Sequence, residues 1–156
     1  MPFTHLNEKG EAIMVDVTEK AVTHRTAIAS GRISMSAECY QAVKEGSAKQ
    51  GDVLGVARVA GIMATKRTAD LIPLCHVLAL TKCAVDFTLE DESHSITARC
   101  TVQCEGKTGV EMEALTGVST ALLTVYDMCK AMDKRMVISD IHLCEKQGGK
   151  SGDFVF

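Results

Sequence analysis

The sequence predicts an α+β sandwich, an antiparallel sheet with helices packed on one face. Two kinds of periodicity predict it. Cys83, Val85, Phe87 and Leu89 alternate with Ala84, Asp86 and Thr88, and Ile96, Ala98, Cys100, Val102 and Cys104 alternate with Thr97, Arg99, Thr101 and Gln103. Each is a half-buried strand, and the acidic turn from Glu90 to Ser93 joins them. The stretch from about Val110 to Met132 instead carries Leu115, Val118, Leu122, Val125 and Cys129 at spacings of three and four, one apolar helical stripe. Half-buried strands beside amphipathic helices bury their apolar faces against each other. The other face of the sheet then needs a polar surface or a partner.

The remaining elements follow in chain order. Ile13 to Val17 and Thr23 to Ser34 read as strands, the second interrupted by Gly31. Ser36 can cap a helix over about Ala37 to Glu45, stopped by Gly46. Asp52 can cap a second helix whose Val53, Val56, Ala57, Val59, Ala60 and Met63 make it apolar on most faces. It ends before Pro73, because the ring disfavours helical geometry at Ile72. Val137, Ser139, Ile141 and Leu143 read as a last strand, and from about residue 147 the run Gly148-Gly149-Lys150-Ser151-Gly152 reads as a flexible tail or a loop awaiting a partner.

At 156 residues the chain suits one domain, 1–156, and it has no repeat or linker to divide it. With 46% apolar and 24% charged residues it is globular in composition, and a net charge of -3 argues against a coat for nucleic acid or anionic membrane. Aromatics make up only 4%, with no Trp, so stacking platforms for single strands are not expected either. No apolar run spans a membrane and the first residues do not resemble an export signal, so a cytoplasmic protein is expected. Its seven cysteines are an odd number with no Cys-x-x-Cys pair, which predicts reduced thiols. Cys100 and Cys104 would stand about 13 Å apart along a strand, too far to chelate one ion. No metal site is expected.

Nucleotide motifs of the common kinds are absent. Gly149-Lys150-Ser151 ends like a P-loop, but the earlier glycine it requires is Cys144. Gly51, Gly55 and Gly61 have the wrong spacing for a dinucleotide fingerprint. Three segments are dense in acid, base and cation chemistry: Lys66 to His76, Lys107 to Glu113, and Tyr126 to Lys130. Taken singly, each has a bland reading. Lys66 and Arg67 suit a helix C-terminus, Glu111 and Glu113 suit a helix N-terminus, and Asp127 with Lys130 suits a solvated ion pair.

Together the segments say more. Thr108-Gly109-Val110-Glu111-Met112-Glu113-Ala114-Leu115-Thr116, Leu71-Ile72-Pro73-Leu74-Cys75-His76, Tyr126-Asp127-Met128-Cys129-Lys130 and Lys146-Gln147-Gly148-Gly149-Lys150-Ser151-Gly152 closely resemble the cyclic pyranopterin monophosphate synthases, the molybdenum cofactor biosynthesis protein C family. Met14 to Val17, Arg25, Gly51-Asp52-Val53 and Ala60-Gly61-Ile62 follow the same pattern in the same order, so that the resemblance covers about Thr4 to Asp153.

That resemblance implies a ferredoxin-like sandwich assembled as a homohexamer of three dimers with sites at subunit interfaces. It implies a phosphorus-oxygen lyase that converts 3′,8-cyclo-7,8-dihydro-GTP, made by a preceding radical enzyme, into cyclic pyranopterin monophosphate and pyrophosphate. It implies no metal or organic cofactor, with Mg²⁺ beside the phosphates left open. By motif position, Asp127 and Lys130 are the acid/base pair, joined by Lys49 and Glu111. Leu74, Cys75, His76, Met112 and Glu113 hold the substrate, and Arg25, Lys66, Lys146 and Lys150 meet its phosphates. The chain departs from the family at Gln50, where a catalytic Lys is usual and only Lys49 stands nearby, and at Val77, where Pro is usual.

Three readings therefore stand at this point: an active synthase, an impaired homologue that binds the same nucleotide as an assembly or binding protein, and a generic nucleotide-binding module. Glu113 and Asp127 add a geometric point. Fourteen residues apart on one helix, they are about 21 Å apart along its axis. One substrate does not bring both to the same reacting atoms, which predicts either an extended ligand or a site shared between subunits.

Overall fold

The computed structural model describes residues 3–46, 48 and 51–156. Lys49 and Gln50 lie outside the described residues. The element order is β1 (Thr23–Ser34), α1 (Ala37–Glu45), α2 (Val53–Thr65), α3 (Thr68–Leu71), β2 (Leu80–Glu90), β3 (Ser95–Gly106), α4 (Glu111–Cys129), β4 (Val137–Gln147) and β5 (Phe154–Val155). All strand pairs are antiparallel, in the order β2-β3-β1-β4-β5. The first four strands and the helices between them form the split βαβ arrangement of ferredoxin-like folds, with the helices on one side of the sheet.

The helix ends form where the sequence places them. The Ser36 hydroxyl accepts from the Cys39 backbone N–H at 3.2 Å, the Asp52 carboxylate accepts from Gly55 N–H at 2.9 Å, and Gly46 closes α1 at φ 70°. Ala27, Ala29 and Ile33 of β1 meet Val85 of β2 and Ile96, Ala98, Cys100 and Val102 of β3 in one core. Val118, Leu122 and Val125 of α4 cover them.

Two glycines set the helix layer. A Cβ on Gly61 of α2 would lie 2.9 Å from the Gly117 carbonyl oxygen of α4, so the helices cross backbone against backbone. A Cβ on Gly117 would lie 2.7 Å from both Cys100 Sγ and Thr65 Cγ2. Helix α4 is therefore seated without slack over β3.

The far face of the sheet is a polar surface. Arg99 pairs with Glu145 at 3.3 Å and lies opposite Asp86, and Arg32 pairs with Glu90 at 3.2 Å. At the edge, Arg58 from α2 reaches around to the Val85 carbonyl of β2 and to Asp86 at 3.4 Å. It thereby covers part of an otherwise open strand.

Several expectations change. Ile13 to Val17 is not a strand: among the described residues the pairing before β1 is the bridge between Leu6 and Ala12. The Asp16 carboxylate accepts from both the backbone N–H and the hydroxyl of Thr18, which turns the chain, and the Val15 carbonyl faces His76 instead of a neighbouring strand. Helix α4 is shorter than 110–132: Val110 is its non-helical cap, and after Cys129 the chain tightens into a turn in which the Cys129 carbonyl accepts from Met132 N–H at 2.9 Å. The last strand runs on to Gln147. Beyond it the chain turns through Gly148 and Gly149 and returns as β5, where Phe156 N–H donates to the Cys144 carbonyl at 2.9 Å. No helix among the described residues is long and apolar enough to cross a membrane.

Candidate active site

Two adjoining cavities open where β1 begins, β3 and β4 end and α4 starts. The larger is about 900 Å³ and the smaller about 260 Å³. Lys20, Thr108 and Gly109 border both.

The larger cavity gathers Lys20, Arg25, Lys146 and Lys150 against Asp16 and Glu19. Arg25 is 7% exposed, and its Nε donates to the Gly106 carbonyl at 2.9 Å, which fixes the guanidinium at the start of β1. Gly149, at φ 86°, lies over that group: a Cβ there would collide with Arg25 Nη1. Lys146 is held from two sides, with Nζ 2.8 Å from Glu111 Oε1 and donating to the Ser151 hydroxyl at 3.1 Å. Excess cation in a concave site suits a polyphosphate.

The smaller cavity is lined by Leu74, Cys75, His76, Leu78, Met112 and Glu113, together with Val15 and Val17. Its chemistry is mixed, apolar surface with a few hydrogen-bonding groups, as a heterocyclic ring requires. Glu113 is 5% exposed. Burial pushes its carboxyl up to about 7, the nearby Glu111 pushes the same way, and a hydrogen bond from its own backbone N–H opposes both. It is thus poised to hold or release a proton near neutrality. Burial pushes the Cys75 thiol up, and Glu113 adds to this, so Cys75 presents a neutral thiol rather than a nucleophilic thiolate.

The structure thus brings together Arg25, Lys146 and Lys150 in one cavity and Leu74, Cys75, His76, Met112 and Glu113 in the other, with Glu111 between them. It does not bring Lys66, Asp127 or Lys130 to either. Lys66 caps the end of α2. Asp127 and Lys130 pair with each other at the far end of α4, with side chains 72% and 53% exposed. Lys49 lies outside the described residues. Among those residues no group of three or more His, Cys, Asp and Glu side chains is arranged to hold a metal.

Sequence reasoning assigns no role to Lys20, Asp16, Glu19 or Thr108. Asp16 and Thr108 stand inside matched segments, but Lys20 sits in a polar turn with no periodicity to mark it.

Residues 14–149 match the MoaC family. The chain belongs to the MoaC family. It is 58% identical over 153 residues to the cyclic pyranopterin monophosphate synthase of Clostridium botulinum (strain Alaska E43 / Type E3), covering 98% of this chain and 96% of that protein. It is 57% identical over 154 residues to the proteins of the same name from Clostridium perfringens (strain 13 / Type A) and Heliobacterium modesticaldum (strain ATCC 51547 / Ice1). Those matches cover 99% of this chain and 98% and 97% of the two relatives. In this member of the MoaC family the matched span takes in every element from β1 to β4 and both cavities apart from Lys150 and Ser151 of the larger one and Thr4 and His5 of the smaller.

Proposed function

We propose that this chain is a cyclic pyranopterin monophosphate synthase of molybdenum cofactor biosynthesis, a lyase acting on 3′,8-cyclo-7,8-dihydro-GTP. The observation that carries the reading is the union of a polycationic cavity with a ring-sized one, built from the segments shared with relatives of that name. The triphosphate occupies the larger cavity, where Arg25, Lys146 and Lys150 neutralise it. The base-derived ring occupies the smaller, against Met112, Leu74, Cys75 and His76. Glu111 and Glu113 exchange protons as the purine skeleton is rebuilt. Closing the cyclic phosphate requires a substrate hydroxyl to attack the α-phosphorus while pyrophosphate departs, and the cations stabilise that departure. The reading calls on no organic cofactor, and Mg²⁺ enters only as a companion of the phosphates. A cytoplasmic location and a radical enzyme supplying the substrate go with it.

Asp127 and Lys130 act in the same reaction from a neighbouring protomer. The distance of about 21 Å along α4 between Asp127 and Glu113, with Lys130 farther still, supports a shared site, and an assembly of three dimers provides one. Lys66 meets the substrate's phosphates in that setting, and Lys49 is the cation offered in place of the lysine that Gln50 replaces.

Incubation with the cyclic dihydro-GTP intermediate should release pyrophosphate, and plain GTP should be left untouched. Equal turnover of GTP would defeat the reading. Asp127→Ala or Lys130→Ala should each lower turnover by about two orders of magnitude with an unchanged melting curve. Mixing Asp127→Ala with Glu113→Ala protomers should restore part of the activity. Failure to complement, or a fully active species of 16.7 kDa by light scattering, would remove the shared site.

A further inference from the structure

The segment from Ile13 to Lys20, an irregular stretch to Val17 followed by a turn, is a strap that borders both cavities. Val15 and Val17 border the smaller, Asp16 and Glu19 the larger, and Lys20 both. Among the described residues three hydrogen bonds to the rest of the chain tie it down. Ile13 N–H donates to the His5 carbonyl at 2.9 Å, and Lys107 Nζ donates to the Thr18 carbonyl at 3.1 Å. The third is between His76 Nε2 and the Val15 carbonyl oxygen, at 2.6 Å.

The third bond has a chemical consequence. A carbonyl oxygen has lone pairs and no proton to give, so the hydrogen in that contact sits on Nε2. In a neutral imidazole with Nε2 protonated, Nδ1 carries the lone pair. Among the described residues Nδ1 has no hydrogen-bond partner, while His76 lines the smaller cavity.

We propose that the strap is a positioning element that locks His76 as its Nε2–H tautomer through the Val15 carbonyl, so that Nδ1 acts as a proton acceptor toward the ligand in the smaller cavity. The inference rests on the site as read above for its ligand, a nucleotide-derived ring system. It adds a rule of recognition: the ligand atom that meets His76 is an N–H or O–H donor, and a carbonyl-type oxygen there is disfavoured by lone-pair repulsion. The strap is thus part of the site's chemistry as well as its wall.

Nitrogen-15 spectra of the full chain labelled at histidine, taken at alkaline pH where imidazoles are neutral, read the tautomer directly. The His76 signals are those absent from a His76→Gln sample. They should show a protonated Nε2 and an unprotonated Nδ1. A protonated Nδ1, or two nitrogens averaged by tautomer exchange, would overturn the proposal. Two variants test the strap itself. In His76→Gln the new amide nitrogen can stand near the position of Nε2 and still donate to the Val15 carbonyl, whereas the side chain introduced by His76→Asn is too short to reach it. Hydrogen exchange at the bonded amides of Ile13, Thr18 and Lys20 should therefore be slow in the native chain and in His76→Gln, and faster by about tenfold in His76→Asn. Equal exchange in all three would show that His76 does not hold the strap. Neither measurement uses turnover, so an inactive protein with the expected spectrum would count against the synthase reading and leave this one standing.

Discussion

Replacing Glu113 by Gln turns the most strongly buried carboxylate of the site into a measurement. The side chain is 5% exposed, and its carboxyl is pushed from an ordinary 4.5 up to about 7. A carboxyl with a raised folded-state value is bound to a proton in the native state at pH values where the unfolded chain has already released it. Its contribution is therefore fully present below about pH 4.5 and lost as pH rises through about 7. The loss is about 3 kcal/mol, since each tenfold change in proton affinity corresponds to about 1.4 kcal/mol. Glutamine keeps the shape and has no proton to lose. Glu113→Gln should then match the native chain in stability near pH 4 and exceed it at pH 8 by up to about 3 kcal/mol, which for a chain of this length is a rise of roughly 6–12 °C in melting temperature. The assay is thermal or urea unfolding of both proteins from pH 4 to 8 at one fixed protomer concentration, because assembly also affects melting. Parallel curves for the two proteins would refute the argument, as would a Gln variant that is less stable at pH 8. The same variant should turn over substrate at least about a hundredfold more slowly, the scale of one positioned acid or base.

Lys146→Met removes the cation 2.8 Å from Glu111, so the uncompensated Glu111 charge should move the pH midpoint of Glu113 still higher, and kcat/KM should fall at least about tenfold. Gly149→Ala should cost about 1–2 kcal/mol in stability, because a side chain at φ 86° is strained and its Cβ would strike Arg25. Its kinetic signature should be a raised KM with kcat less affected, and a native KM would show that Arg25 does not meet the substrate. Gly117→Ala should destabilise by about 1–3 kcal/mol through overpacking against Cys100 and Thr65, offset by up to about 1 kcal/mol of helix propensity. Cys100→Ala in the same chain should recover part of the loss, and a purely additive double variant would contradict the contact.

The sheet and its helices are legible because periodicity reports which side of a segment is covered. It does not report by what. Val15 and Val17 alternate with Met14 and Asp16 as a strand would, and both are half-buried. Their cover is the wall of a cavity, and the Asp16 turn and the His76 contact use the groups that a ladder would need. Gly31 misleads in the opposite direction. It reads as a break in β1, yet β1 runs through it, paired without a break to β3 while the register against β4 shifts there, and a Cβ would come within 2.9 Å of Val118, Leu122 and Ile141 side chains. The glycine admits α4, and a single sequence shows the missing side chain without the neighbour that requires it. At the site, the shared motifs mark Arg25, Leu74 to His76, Glu111 to Glu113 and Lys146 to Lys150 as a group, and the two cavities gather them. Lys20 escapes because a lysine in a polar turn is what any solvated loop offers, and only the folded strap shows it between two cavities.

Because Gly61 and Gly117 let α2 and α4 touch backbone to backbone, α4 is a stiff rod with Glu113 at one end and Asp127 at the other. In a shared-site assembly each rod then serves two reaction centres, one with each end. A subunit carrying Glu113→Ala and Asp127→Ala together would poison its own centre and a neighbour's. Co-produced with native subunits, it should make total activity fall as the square of the native fraction rather than in proportion to it. With either single substitution, total activity should fall only in proportion to the native fraction.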